Sequence, residues 1–134
     1  MKKYKLQIGF AIAVVMLTMF ACGFSVSTAN IKEAQLAKDP QANQPTTVFA
    51  PEDVFYCVVD LANAPDDTTV KAAWTAVQAE GADPNTFIDE SELTSGSGNL
   101  QFNLTNTNPW PRGTYKVDLY LNGELDRTLE FTVE

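Results

Sequence analysis

The 134-residue sequence has no histidine. That absence removes the commonest general base, the Ser-His and Cys-His nucleophile pairs, and every imidazole metal site. Basic residues are scarce too: 9 Lys+Arg stand against 17 Asp+Glu, a net charge of −8. A nucleic-acid surface needs a basic patch, so nucleic acid is not an expected partner. Cysteine occurs only twice, at Cys22 and Cys57. Long hydrophobic runs are missing outside one N-terminal stretch. What is present is ordinary for a globular chain, with 45% hydrophobic residues. The length allows one small domain plus extras, and the composition argues against wholesale disorder.

Lys2, Lys3 and Lys5 precede an apolar run from Leu6 to Ala21. A charged start followed by such a run is the pattern of an export signal. The stretch is short for a membrane span, although it extends to Phe24 if an uncleaved anchor is considered. Thr18-Met19-Phe20-Ala21-Cys22-Gly23 closes the run. This segment resembles the lipobox of bacterial lipoproteins, which implies lipidation of Cys22 and a mature N-terminus there. Ala21 and Gly23 fit the pattern, whereas Met19 and Phe20 depart from its strict form. Ser27-Thr28-Ala29 offers a rival, ordinary cleavage after Ala29. Three outcomes stay open: a lipoprotein, a secreted or periplasmic protein, and an uncleaved anchor.

Residues 23–45 contain few large apolar side chains, and their charges cancel. Ile31 to Lys38 could form two helical turns, too short to be stable alone. Asp39-Pro40 and Gln44-Pro45 interrupt the segment. The expectation is a flexible linker between the signal, residues 1–22, and a domain spanning residues 46–134. Losing Lys2, Lys3 and Lys5 leaves 6 Lys+Arg against 17 Asp+Glu, or −11. All of that excess falls on residues 46–134, where 4 basic residues face 15 acidic ones.

From Thr46 onward, apolar and polar residues alternate in short segments. Phe55, Cys57, Val59 and Leu61 share one face, as do Val70, Ala72, Trp74 and Ala76. Leu100, Phe102 and Leu104 form a third set, Tyr115 to Leu121 a fourth, and Leu129, Phe131 and Val133 a fifth. This period of two predicts half-buried antiparallel strands. Thr46–Phe49 and Thr86–Leu93 are weaker candidates, bringing the strands to about seven. Asn122-Gly123 predicts a type I′ hairpin, and clusters of Pro, Gly, Asp and Asn mark the other turns. The expected class is an all-β antiparallel sandwich.

Gly113-Thr114-Tyr115-Lys116-Val117 resembles the start of strand F in immunoglobulin-like folds, where a tyrosine makes the tyrosine corner. Trp74 resembles the core tryptophan of strand C, and Cys57 takes the place of the first immunoglobulin cysteine. Its partner is missing, because Val117 stands where the second would be. Trp110 to Tyr115, followed by Leu119 to Gly123, is similar to the ends of small immunoglobulin-like domains of bacterial surface and exported proteins. The resemblance spans roughly residues 46–134. It implies architecture and carries no activity with it.

Little in the chain suggests chemistry. Cys57 reads as a small core hydrophobe, with no cation nearby to activate it. Asp66-Asp67 and Asp89-Glu90-Ser91-Glu92 lack calcium-loop spacing and read as solvated acidic surface. Asn103-Leu104-Thr105 matches a glycosylation sequon, read here as a chance match on a strand. Trp110, between two prolines, is either an exposed contact residue for a protein or carbohydrate or a cap on the open end of the sandwich. No cofactor or metal is expected. One outward face should carry Lys71, Ala73, Thr75 and Val77 beside Lys116, Asp118 and Tyr120, then Thr128, Glu130 and Thr132. Val77, Tyr120 and Thr128, with the Trp110 loop, form the expected partner surface. The leading expectation is a non-catalytic binding or assembly module of the cell envelope, tethered by lipid at Cys22. The alternatives are a structural spacer or accessory subunit, and a small hydrolase.

Overall fold

A computed structural model describes residues 27–134. The expected export signal and Cys22 lie outside the described residues. Eight strands make up the regular structure: β1 (Asn30–Ala37), β2 (Val48–Phe49), β3 (Phe55–Ala62), β4 (Thr68–Ala79), β5 (Thr86–Ser95), β6 (Gly98–Leu104), β7 (Gly113–Leu121) and β8 (Glu124–Val133). They form a three-stranded sheet, β1-β3-β6, and a five-stranded sheet, β2-β8-β7-β4-β5. Every pairing is antiparallel except the two-residue one of β2 with β8.

The alternation in sequence becomes the alternation in burial. Phe55, Cys57, Val59 and Leu61 of β3 are buried, and so are Val70, Ala72, Trp74 and Ala76 of β4. Tyr115, Val117 and Leu119 of β7, with Phe131 and Val133 of β8, line the same inner face as the β4 residues and look toward β3. Apolar burial between the two layers is the main force holding the sheets together. The β7–β8 turn has the expected form. Asn122 and Gly123 both take positive φ, 50° and 86°, as a type I′ hairpin requires.

The linker expected over residues 23–45 is corrected by the structure. Asn30–Ala37 is strand β1, hydrogen-bonded along β3 from Ala62 to Tyr56. Ile31, Leu36 and Ala37 are buried. The physical reason is that β3 would otherwise expose one backbone edge, and the core would lose two large aliphatic side chains. A register shift between Ile31 and Glu33 hides this strand's period in the sequence. The folded unit therefore includes residues 30–45 as well as the expected domain.

Beyond β1 the chain crosses from one sheet to the other. Asp39 accepts backbone N–H bonds from Asn43 at 2.9 Å and Gln44 at 2.7 Å. Those donors, Asn43 foremost, hold its carboxyl below the ordinary carboxylate range. Lys38 N–H then bonds Gln44 O, and Thr46 N–H bonds Leu36 O. Thr47 O accepts from Thr132 N–H, and β2 begins beside β8. The edge strand thus changes sheets. Its first half completes the small sheet and its second half starts to cover β8.

Candidate functional site

The outer face of the five-stranded sheet follows from its register. Lys71 lies opposite Tyr120, Ala73 opposite Asp118, and Thr75 opposite Lys116. Across the next pairing, Asp118 meets Thr128, Lys116 meets Glu130, and Tyr120 meets Leu125. On the other flank, Lys71 meets Glu92, Ala73 meets Glu90, and Thr75 meets Phe87. The outward residues named from alternation share this face.

Their polar groups are engaged with one another. Lys71 Nζ lies 3.5 Å from Glu90 and 4.6 Å from the centre of the Tyr120 ring. Lys116 Nζ lies 3.5 Å from Asp118, whose other oxygen accepts from the Thr128 hydroxyl. Such half-exposed ion pairs contribute little stability, ~0–1 kcal/mol each. They engage both lysines of the face and, among the described residues, leave Glu92 and Glu130 without an ion pair. Apolar surface remains at its two ends. Leu125, beside Tyr120, is 57% exposed, and Phe87, beside Thr75, is 58% exposed.

The structure places Tyr120 at one end of this face, Thr128 one pair further in opposite Asp118, and Val77 at the other end. Val77 occupies the bulge of β4, between the Ala76–Tyr115 and Gln78–Thr114 pairs. It is half-buried, six residues along the strand from Lys71, or roughly 20 Å at strand rise. Leu125 and Phe87 were missed in the sequence. Leu125 comes one residue after the two-residue turn, and the register shift opposite Leu119/Tyr120 breaks the alternation of β8 just beyond it. Phe87 sits on an edge strand whose other residues are mainly exposed and polar.

Trp110 is not on any exposed surface, which corrects its placement as a contact residue. It is 7% exposed, and its ring stacks on Phe55 at 4.7 Å. Its Nε1–H donates to Asp53 O at 3.1 Å, and its backbone N–H donates to Pro51 O at 2.8 Å. It closes one end of the sandwich, where Phe49, Phe55, Trp74, Tyr115 and Phe131 also meet. Tyr115 donates its hydroxyl to Pro111 O, four residues upstream, and so makes the tyrosine corner. Burial pushes the Tyr115 phenol up from its ordinary value.

Cys57 is buried, and loss of water pushes its thiol up to about 12. A thiol of that kind is neither nucleophile nor metal ligand near neutrality. Among the described residues, no group of three or more Asp, Glu or Cys is placed to hold a metal ion. Glu90 and Glu92 align with β4 residues along an open edge instead of converging. Two hollows are large enough to note, and both are open to solvent. One, of about 590 Å³, lies at the end of the sandwich near Pro65, Asp67, Asn122 and Glu124. The other, of about 550 Å³, lies between β1 and β8. Neither lining includes a cysteine or a Ser-Lys pair.

No family model matches the chain, and no curated protein does. Solved structures do. An immunoglobulin-like protein from Pseudomonas aeruginosa superposes with a TM-score of 0.53 at 13% identity, covering 82% of this chain and 99% of that one. The alkylpurine DNA glycosylase AlkC of Pseudomonas fluorescens, bound to DNA with an abasic-site analogue, gives 0.53 at 17% identity. A β-glucosidase from Listeria innocua in complex with glucose gives 0.50 at 15% identity. This chain spans only 31% of the glycosylase and 17% of the glucosidase. At such identities the likeness shows the fold alone, an immunoglobulin-like β-sandwich.

Proposed function

We propose that this chain is a non-catalytic binding or assembly module of a bacterial cell envelope. In this reading a lipid on Cys22 holds it at the membrane, and the outer face of the five-stranded sheet receives a protein partner. The observation that carries the reading is the exposed Leu125 beside the half-buried Tyr120 on that face, with Phe87 and Val77 at its far end. A contact of ordinary size covers about 800 Å² per partner, roughly 28 Å across, so one footprint reaches both ends. Apolar ends around a middle of engaged ion pairs suit such a contact. The acidic excess favours a basic partner and disfavours anionic lipid.

The membrane attachment gains a geometric consequence from β1. Only residues 23–29 separate Cys22 from the first strand. Fully extended, they reach at most about 25 Å. The domain would then stand close to the bilayer, with the Asn63–Thr68 loop and the Asn122-Gly123 turn on its near side. Thr28 donates to Asn63 O at 2.7 Å, which supports that orientation.

Two measurements test the proposal. Mass spectrometry of the mature N-terminus should find a lipid-modified Cys22. A peptide beginning at Asn30 would replace anchoring with secretion. Capture from envelope extract should recover less partner with Tyr120→Ala and with Val77→Asp, about tenfold in each case. Unchanged recovery with both variants places the contact elsewhere.

A further inference from the structure

The crossing of the edge strand leaves one stretch of β8 without a neighbour. Thr132 N–H and Glu134 N–H donate to Thr47 O and Phe49 O, so these residues present their backbone groups to the β2 side. Strand geometry alternates that direction with a period of two. Glu130 and Thr128 therefore present their N–H and C=O groups to the same side. Among the described residues no strand pairs with β8 there, since β2 pairs only with Thr132 and Val133.

Those free groups face a slot of about 550 Å³. Ala34 and Leu36 of β1 and Leu129 of β8 supply apolar lining, and Pro45, Thr46 and Thr47 close one end. At the other end the Arg127 guanidinium donates to Ile31 O at 2.6 Å and joins the two sheets. An apolar slot lined by an unpaired strand edge fits an extended chain better than a helix or a compact ligand. About four residues would fill it at strand rise.

Charge narrows the occupant further. Glu130 stands on the rim and makes no ion pair, because the opposing Lys116 is held by Asp118. Arg127 is occupied by Asp126 and Ile31 O. We propose that this slot is a docking site for an extended basic segment of a partner protein, which adds as a strand to β8 beside Thr128 and Glu130. Backbone hydrogen bonds hold the segment, alternate apolar side chains enter toward Leu36 and Leu129, and outward Lys or Arg side chains meet Glu130. This inference rests on the binding-module reading and specifies the chemistry of a partner.

The test uses the mature full chain in non-ionic detergent. The probe is an octapeptide of alternating valine and lysine. Its N-methylated counterpart keeps the side chains and loses the strand-forming N–H groups. A valine–glutamate octapeptide controls for charge. The valine–lysine peptide should bind saturably and slow exchange of the edge-facing Thr128 and Glu130 amides about tenfold, while both controls leave exchange unchanged. Thr128→Pro removes one edge N–H, a change that sheet edges tolerate, and should weaken binding about tenfold. Glu130→Lys should do the same without touching the backbone. Protection confined to β5 or to the Tyr120 face would overturn the proposal. Folded Thr128→Pro and Glu130→Lys variants that bind as tightly as the parent would do so as well. Strong protection of the Thr128 and Glu130 amides without peptide would also overturn it, assigning the slot to the chain's own N-terminal residues instead. Tyr120→Ala separates the two readings: it should spare peptide binding even where it reduces recovery of an envelope partner.

Discussion

Trp110 and Phe55 stack with their planes 22° apart, joining the loop before β7 to the first residue of β3. The contact explains why a tryptophan flanked by prolines is buried. Pro109 and Pro111 restrict the loop, and Asp53 O takes the indole N–H, so the ring enters the core without an unpaired donor. Trp110→Ala should destabilise the domain by about 3 kcal/mol, in the range for buried aromatic truncation. Trp110→Phe should recover part of that loss, because it restores the ring and not the N–H. Equilibrium unfolding in urea reads both values. A loss below about 0.5 kcal/mol for the alanine variant would return Trp110 to the surface.

Gly113 makes a second close approach. A Cβ built there would lie 2.1 Å from Gln78 O and 2.6 Å from Ala79 Cα. Those atoms belong to the strand end just past the Val77 bulge. Gly113→Ala should therefore force β4 and β7 apart and cost about 2 kcal/mol or more. Gly81 provides the contrast. Its φ of 76° favours glycine, yet nothing lies within 4 Å of its added Cβ. Gly81→Ala should cost only about 1 kcal/mol, the conformational penalty alone. Equal losses in thermal unfolding would show that contact at Gly113 is not the cause.

The Cys57 thiol should resist alkylation by iodoacetamide at pH 8 and react once the chain is unfolded. The sign of its pH effect follows from burial. The unfolded thiol ionises near 9.0, and the folded one at about 12. The folded state therefore holds its proton more firmly, and the stability tied to that proton is fully present below pH 9. It declines as pH rises from 9 toward 12, by about 1.4 kcal/mol per unit. Cys57→Val lacks this titration. The stability difference between parent and variant should be flat below pH 9 and should move against the parent above it. A flat difference up to pH 11 would show that Cys57 is not desolvated.

Much of this fold was legible because strands buried on one face write a period of two into the sequence. β3, the first half of β4, β6 and β7 show it without interruption, and Asn122-Gly123 and Tyr115 supplied two fixed points. Legibility failed at the bulges. Val77 counts as the next outward residue after Thr75 only if β4 pairs regularly, and a shift between Ala76 and Gln78 intervenes. The slot beside β8 was invisible because it arises from where the edge strand changes sheets, which no local pattern records. Thr128 was singled out for its side chain, but its backbone edge makes it notable.

β1 was lost for the same kind of reason, and it offers a decisive measurement. Ile31 and Leu36 are five residues apart, an odd spacing that contradicts a regular strand. The register shift between Ile31 and Glu33 absorbs the extra residue and returns both side chains to the core. The intervening Lys, Glu, Ala and Gln favour helix in isolation, and pairing with β3 overrides that preference. Ile31→Asp should thus destabilise the domain by about 3 kcal/mol or more, because it buries an unpaired carboxylate. Lys32→Glu, at the exposed bulge, should stay within about 0.5 kcal/mol. A chain beginning at Thr46 lacks both aliphatic anchors and uncovers the edge of β3, so it should lose its cooperative melting transition. If residues 46–134 melted as sharply and at the same temperature as the longer chain, β1 would be a tether after all.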